Sequence, residues 1–280
     1  MSAMHDSNHS NTATSSHNDN DEQANTTELP SKQKQAAVIV IGNEILSGRT
    51  QDLNLNYIAK ELNKLGINLA EGAVIVDDID IIVCKVTEFS QKYDYVFTTG
   101  GIGPTHDDLT SEAIAQATST KLELNQVVKE VLEDFYVDKG GLNEARLKMA
   151  MFPEGAEIIP NKISSAPGYK INNIFALAGI PKILQAMFDA LKPHLEAGPL
   201  TTNISVNIKV SESKLASRLG LLQFEYPDVS IGSYPYTHND NPCTSVVMRS
   251  LNKSDARRAA QSIVHYCSKS NLIILDEQST

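Results

Sequence analysis

Thr98-Thr99-Gly100-Gly101-Ile102-Gly103-Pro104-Thr105-His106-Asp107-Asp108-Leu109-Thr110 follows the apolar run Tyr95-Val96-Phe97. Three glycines directly after a buried strand let the backbone turn sharply and approach a ligand closely. Pro104 stiffens the exit, and Thr105 or Asp108 can cap the helix that follows. Amides at such a turn favour a phosphate. The turn also lies outside the carboxyl end of a strand, where ligands bind in open α/β sheets. The Lys-Ser/Thr pair of a Walker A loop is missing, and so is GxGxxG spacing.

Upstream, strand and helix alternate. Ala36-Ala37-Val38-Ile39-Val40-Ile41 is continuous and apolar and ends at Gly42, as a fully buried strand of a parallel sheet does. Asp52 can cap a helix with Leu55, Ile58, Ala59, Leu62 and Leu65 at helical spacing, and Gly66 sits where a C-terminal cap belongs. Ala73-Val74-Ile75-Val76 reads as a second strand, and Asp78 or Asp80 can cap a helix carrying Ile82, Val83, Val86 and Phe89. Downstream, helices are expected near 110–118, 125–138 and 142–151, then a strand from Ile174 to Ala178 and a helix from Pro181 to about Leu195. This order implies right-handed crossovers and an α/β fold, a largely parallel sheet with helices on both faces.

Past Gly198-Pro199 the pattern changes. Ile204, Val206, Ile208 and Val210 alternate with polar residues, and a helix near 213–222, strands near 229–234 and 245–250 and a helix near 254–268 follow. That is a small C-terminal α+β domain with one sheet face exposed. Residues 1–34 hold too few large apolar side chains to offset their ordering entropy and are expected to be a disordered tail, with His5, His9 and His17 solvated. The expected domains are therefore 35–197 and 200–275 after that tail.

Of the 280 residues 41% are hydrophobic and 21% charged, ordinary for a globular protein, and the formal net charge is -10. That balance argues against nucleic acid as a partner. An anionic ligand must be held locally by amides, a helix N-terminus or a cation. No apolar run approaches the ~20 residues that span a bilayer, and no secretory or transit signal opens the chain, so a cytoplasmic protein without a membrane partner is expected. Cys84, Cys243 and Cys267 are scattered without CxxC spacing, which predicts reduced thiols rather than disulfides or a zinc site.

Carboxylates close three successive strands opposite the glycine turn. Asp107 and Asp108 read either as a solvated neighbour and a helix cap, or as holders of a divalent cation bridging to ligand phosphates. Glu44, in Gly42-Asn43-Glu44-Ile45-Leu46-Ser47-Gly48, is either a loop carboxylate or a residue facing the same crevice. Asp77 and Asp78 share that edge, with capping as the competing role. His106 reads as a surface loop residue, and Asn161-Lys162-Ile163-Ser164-Ser165-Ala166-Pro167-Gly168 as a rim, a lid or a plain turn.

The segments Ile41 to Gly48, Thr99 to Thr110 and Ala166-Pro167-Gly168 resemble the MoaB/Mog family of molybdopterin-binding domains. More closely, they resemble the branch at the start of CinA-type competence/damage-inducible proteins and of eukaryotic FAD synthases. The likeness covers roughly residues 36 to 195, and Asp228-Val229-Ser230-Ile231-Gly232-Ser233-Tyr234-Pro235 is similar to the small domain of that branch.

The resemblance implies a pterin or nucleotide ligand, molybdopterin first, bound by Gly42, Asn43, Glu44, Thr99, Gly100, Gly101, Gly103, Pro104, Thr105, Pro167 and Gly168. It implies Mg2+ or another divalent cation at Asp107 and Asp108, and a homo-oligomer. The alternative it carries is a metal-dependent nucleotide pyrophosphatase acting on ADP-ribose or FAD-like diphosphates, with Asp78 and Asp108 catalytic. Two departures stand out. The chain ends at Thr280, so the amidase and synthase activities of the longer relatives are expected to be absent. In addition, Leu177-Ala178-Gly179-Ile180-Pro181-Lys182-Ile183 lacks the glutamate of CinA-type relatives, and Ser164-Ser165 replaces their Gly-Thr.

Overall fold

Strand β1 (Gln35–Ile41) is buried from Ala36 onward because both of its faces are covered. Ala37, Ile39 and Ile41 point into one apolar cluster and Ala36, Val38 and Val40 into another, as the two-residue period of a strand dictates. The computed structural model describes residues 33–279, so His5, His9, His17 and all but the last two residues of the expected tail lie outside the described residues.

A single helical turn, α1 (Asn43–Leu46), leads to α2 (Asn54–Lys64). The N-cap position of α2 is Leu53, and Asp52 supplies the expected cap from one residue earlier, its carboxylate accepting from the N–H groups of Asn54 and Leu55 at 3.2 and 3.1 Å. Gly66 ends it with φ +69° in the left-handed region. Then follow β2 (Asn68–Ile75), α3 (Ile79–Lys92), β3 (Tyr95–Thr99) and α4 (Thr110–Ala117). Next come β4 (Leu122–Leu124), α5 (Gln126–Tyr136), α6 (Glu144–Leu147), β5 (Met151–Pro153) and β6 (Glu157–Ile159). The sequence continues through β7 (Gly168–Ile171), β8 (Ile174–Leu177) and α7 (Pro181–Leu191).

The main sheet runs β2-β1-β3-β8-β7-β6. Its first four strands are parallel, and β7 and β6 add an antiparallel edge. Ile82, Val86 and Phe89 of α3, Ile114 of α4 and Leu132 of α5 cover one face; Ile58 and Leu62 of α2 and Leu184 and Phe188 of α7 cover the other.

The C-terminal sheet is built from β9 (Thr202–Ile208), α8 (Glu212–Glu225), β10 (Ser230–His238), β11 (Asn241–Ser250), α9 (Lys253–Lys269) and β12 (Ile274–Ser279). Its order is β10-β11-β9-β12, all antiparallel, with both helices on one face. Asn239 and Asp240, at φ +48° and +56°, turn the β10–β11 hairpin.

Several expectations fail locally. The helix near 142–151 is only the four residues of α6, then a 3-10 turn at Lys148–Ala150 and β5, which pairs with β4. The helix from Pro181 stops at Leu191, where Lys192-Pro193-His194 forms a 3-10 turn because Pro193 cannot continue the ladder. A final strand, β12, follows the expected β-α-β-β-α order; its polar end Asp276-Glu277-Gln278-Ser279 hides it from hydrophobic patterning. Neither Thr105 nor Asp108 caps α4, whose N-cap position is Leu109 without a side-chain cap. No helix among the described residues is long and apolar enough to cross a membrane.

Candidate functional site

Four parallel strands end at one edge, and each hands its chain to a loop there. Gly100 leaves β3 with φ +99°, its N–H donating to the Leu177 carbonyl at 3.1 Å. A Cβ on Gly100 would stand 2.2 Å from the Ile41 carbonyl oxygen, so the turn is threaded against the end of β1. Gly179, just after β8, packs against the Gly100 Cα from the other side.

Thr110 organises the turn from below. Its hydroxyl donates to the Gly100 carbonyl and its N–H to the Gly101 carbonyl, both at 2.9 Å. With those carbonyls tied down, the N–H groups of Gly101, Ile102 and Gly103 have no partner among the described residues. Successive unpaired amides of this kind form an anion-receiving concavity. Asp108 folds back under the same loop, accepting from the Thr105 N–H at 2.7 Å and from its hydroxyl.

Above the turn opens a cavity of about 580 Å³. Gly42, Glu44, Gly100, Gly101, Gly103, Pro104, Thr105, Asp107, Asp108 and Pro167 line it, together with Ser164 and Ala166 of the 161–168 loop. Asn161 holds that loop, its amide donating to Ser164 Oγ and the Ala166 carbonyl at 2.6 and 3.0 Å. Glu44 lies over Gly42 so closely that a Cβ there would sit 2.7 Å from its carboxylate.

Four residues expected at the site are placed elsewhere. Asp78 caps α3, accepting from the N–H groups of Asp80 and Ile81 at 3.1 Å, and the carboxylate that reaches the cavity is its neighbour Asp77. Asn43 contributes through its backbone, donating to Asp77 Oδ2 at 2.8 Å. Thr99 is buried beneath, where its hydroxyl accepts from Asn54 Nδ2 at 3.0 Å. Gly168 is buried against β8, with the Ala176 carbonyl 2.4 Å from where a Cβ would be. The apolar wall has no signature in the sequence: Ile102, Tyr136, Met149, and the pair Ile183 and Met187 on α7 come from four separate stretches of chain. Only their burial in the fold brings them together.

Carboxylates dominate the rim. Asp107 is held below its ordinary value first by the neighbouring Thr105 hydroxyl, then by its own N–H and by the charges of His106 and Lys148, although the hydrogen bond that the hydroxyl itself makes goes to Asp108. Lys148 crosses the loop to donate from Nζ to the Thr105 carbonyl at 2.6 Å. His106 is exposed, as its loop position implied. Among the described residues no three His, Cys, Asp or Glu side chains converge closely enough to hold a metal ion unaided. The rim carboxylates among the described residues therefore form no complete cage for a cation.

The family profile described as "Probable molybdopterin binding domain" matches residues 37–197, and "FAD synthase, middle domain" matches residues 201–275. A protein of Archaeoglobus fulgidus is 35% identical over 198 residues, 71% of this chain and 84% of its own. A probable FAD synthase of Caenorhabditis briggsae is 34% identical over 235 residues, 75% of this chain; the match spans 45% of that relative, less than half its length. Among solved structures, the protein CinA of Thermoplasma acidophilum, whose function is described as unknown, is 33% identical with a TM-score of 0.54, covering 57% of this chain and 98% of that one. The chain belongs to the family described as the probable molybdopterin binding domain, and joins that domain to one of the kind found in the middle of FAD synthases.

Proposed function

We propose that this protein binds a phosphorylated pterin or nucleotide, with a phosphate on the amides of Gly101, Ile102 and Gly103. The observation that carries the reading is that these three consecutive donors have no partner among the described residues, on a turn at the cavity wall whose carbonyls Thr110 ties down. Unpaired donors there favour an anion, although the net charge of -10 repels one at long range. Molybdopterin is named first because that is the ligand in the family's description.

Glu44, Asp77, Asp107 and Asp108 would oppose a bare phosphate. They fit a ligand that brings Mg2+ or another divalent cation, which needs only one or two protein carboxylates. Such a cation neutralises phosphate charge and acidifies a bound water. Within the chain, Asp108 sets the 105–108 loop through Thr105, while the Asn43 N–H orients Asp77.

A second reading, a metal-dependent nucleotide pyrophosphatase, is favoured by carboxylates from three separate segments bordering one set of free amides. In that reading Asp77 takes the part expected of Asp78. The test is titration of the purified chain with molybdopterin, ADP-ribose and FAD in the presence of magnesium, alongside an assay for hydrolysed diphosphate. Saturable binding without turnover supports a binding protein, and turnover supports the pyrophosphatase. A folded protein that takes up none of the three compounds sinks the assignment of the site. The same reading expects a homo-oligomer, which sedimentation equilibrium checks.

A further inference from the structure

A ligand whose phosphate rests on the glycine turn must lay the rest of itself along the cavity wall, and the aromatic side chain lining that wall is Tyr136. Its ring is held in place from behind. The guanidinium carbon of Arg146 stands 4.1 Å from the ring centroid, within cation–π range. Arg146 is itself fixed, Nη1 donating to the carbonyls of Lys139 and Gly141 at 2.9 and 2.5 Å and its N–H to Asn143 Oδ1 at 2.8 Å.

The loop between them closes on the same residue. The N–H groups of Lys139 and Gly141 both donate to the Tyr136 carbonyl at 2.9 Å. Gly140 and Gly141 permit this with φ of +87° and +76°. The chain thus uses a whole loop to hold a guanidinium over the Tyr136 ring, the Phe135 ring meets it edge to face at 5.0 Å, and the part that neither covers is what the ring offers the cavity. Met149, on the same wall, has the soft thioether that suits a flat ring. A ring fixed in advance loses little freedom when something stacks on it.

We propose that Tyr136, braced by Arg146, is the platform for the planar ring of the bound phosphorylated ligand. It is then the residue by which the site separates a ring-bearing phosphate from a bare one. This rests on binding at the glycine turn as proposed above.

The test compares ADP-ribose with inorganic pyrophosphate, each with magnesium, by calorimetry on the full chain and on Tyr136→Phe, Tyr136→Ala and Arg146→Met. Tyr136→Ala is expected to weaken ADP-ribose by about tenfold or more and to leave pyrophosphate within about twofold. Tyr136→Phe retains both affinities, and Arg146→Met shows a smaller loss confined to ADP-ribose. Should the alanine variant not fold, Tyr136→Leu keeps apolar volume without a flat ring and makes the same distinction. Unchanged ADP-ribose affinity overturns the platform and leaves the glycine-turn reading standing. Equal loss of both probes also overturns it, because Tyr136 would then only shape the pocket. A wild-type chain that binds neither probe removes the reading on which the platform depends.

Discussion

The hydroxyl of Thr110 donates to the Gly100 carbonyl at 2.9 Å and fills the place where a Cβ on Gly101 would stand, 2.1 Å from it. One threonine therefore both ties the turn down and excludes any side chain from its second glycine. Replacing it with valine keeps the shape and removes the donor, leaving the buried Gly100 carbonyl short of a partner. Thr110→Val is expected to lose about 1–3 kcal/mol in urea unfolding and to bind ligand more weakly, with Thr110→Ser largely restoring both.

Gly101→Val acts through the same contact. The branched side chain meets Thr110 beneath the turn and must also adopt φ near +68°, so the loop moves before any ligand arrives. Loss of binding together with a clearly lower unfolding midpoint is the expected result. A variant with wild-type affinity would place the ligand elsewhere.

Asp77 and Asp78 are adjacent and should separate cleanly. Asp78→Ala removes the N-cap of α3 and is expected to cost about 1 kcal/mol in stability with ligand affinity unchanged. Asp77→Asn leaves the helix capped and is expected to weaken cation-dependent binding with little effect on unfolding. The opposite pattern would return Asp78 to the site.

Asp108→Ala loosens the 105–108 loop by removing the acceptor for Thr105, but the loop is exposed. A stability change within about 0.5 kcal/mol is expected. Metal-dependent binding should fall at least about tenfold in the same titration, a difference of about 1.4 kcal/mol.

Glu61 links α2 to the 3-10 turn after α7 through Lys192 at 2.8 Å and also meets Lys64. Those two lysines, Lys192 first, hold its carboxyl below the ordinary value of 4.5 against the opposing effect of burial. A carboxyl depressed in the folded state stabilises the protein above its unfolded pKa, and that contribution disappears as pH falls through the folded value. Unfolding free energy should therefore drop as pH is lowered from about 4.5. Glu61→Gln should flatten that part of the curve, and a variant with the wild-type acid profile would assign the drop to other carboxylates.

The alternation of β1, α2, α3 and β3 was legible in the sequence because each signal is local. A buried strand needs a continuous apolar run, and an amphipathic helix needs its period. Gly66 and Gly100 mark places where the backbone enters the left-handed region. The short strands β4, β5 and β6 carry three residues each, too few for a period to register, and β12 turns polar after Ile274-Leu275. The turn at Gly100 to Gly103 was found for the same local reason: its glycines answer to the chain's own geometry, whatever lies opposite.

The sequence by itself determined that this turn exists, that it ends a buried strand and that acidic residues gather near it. Only the tertiary structure decided which acid faces the cavity. Asp78 is drawn into the first turn of α3 by that helix's unpaired N–H groups, while the Asn43 N–H holds Asp77 toward the crevice. It also decided that Tyr136 and Met149 complete the wall beside Ile102. Conformation at a glycine depends on adjacent atoms, whereas a cavity wall depends on how distant elements pack, and no short stretch of chain contains that information.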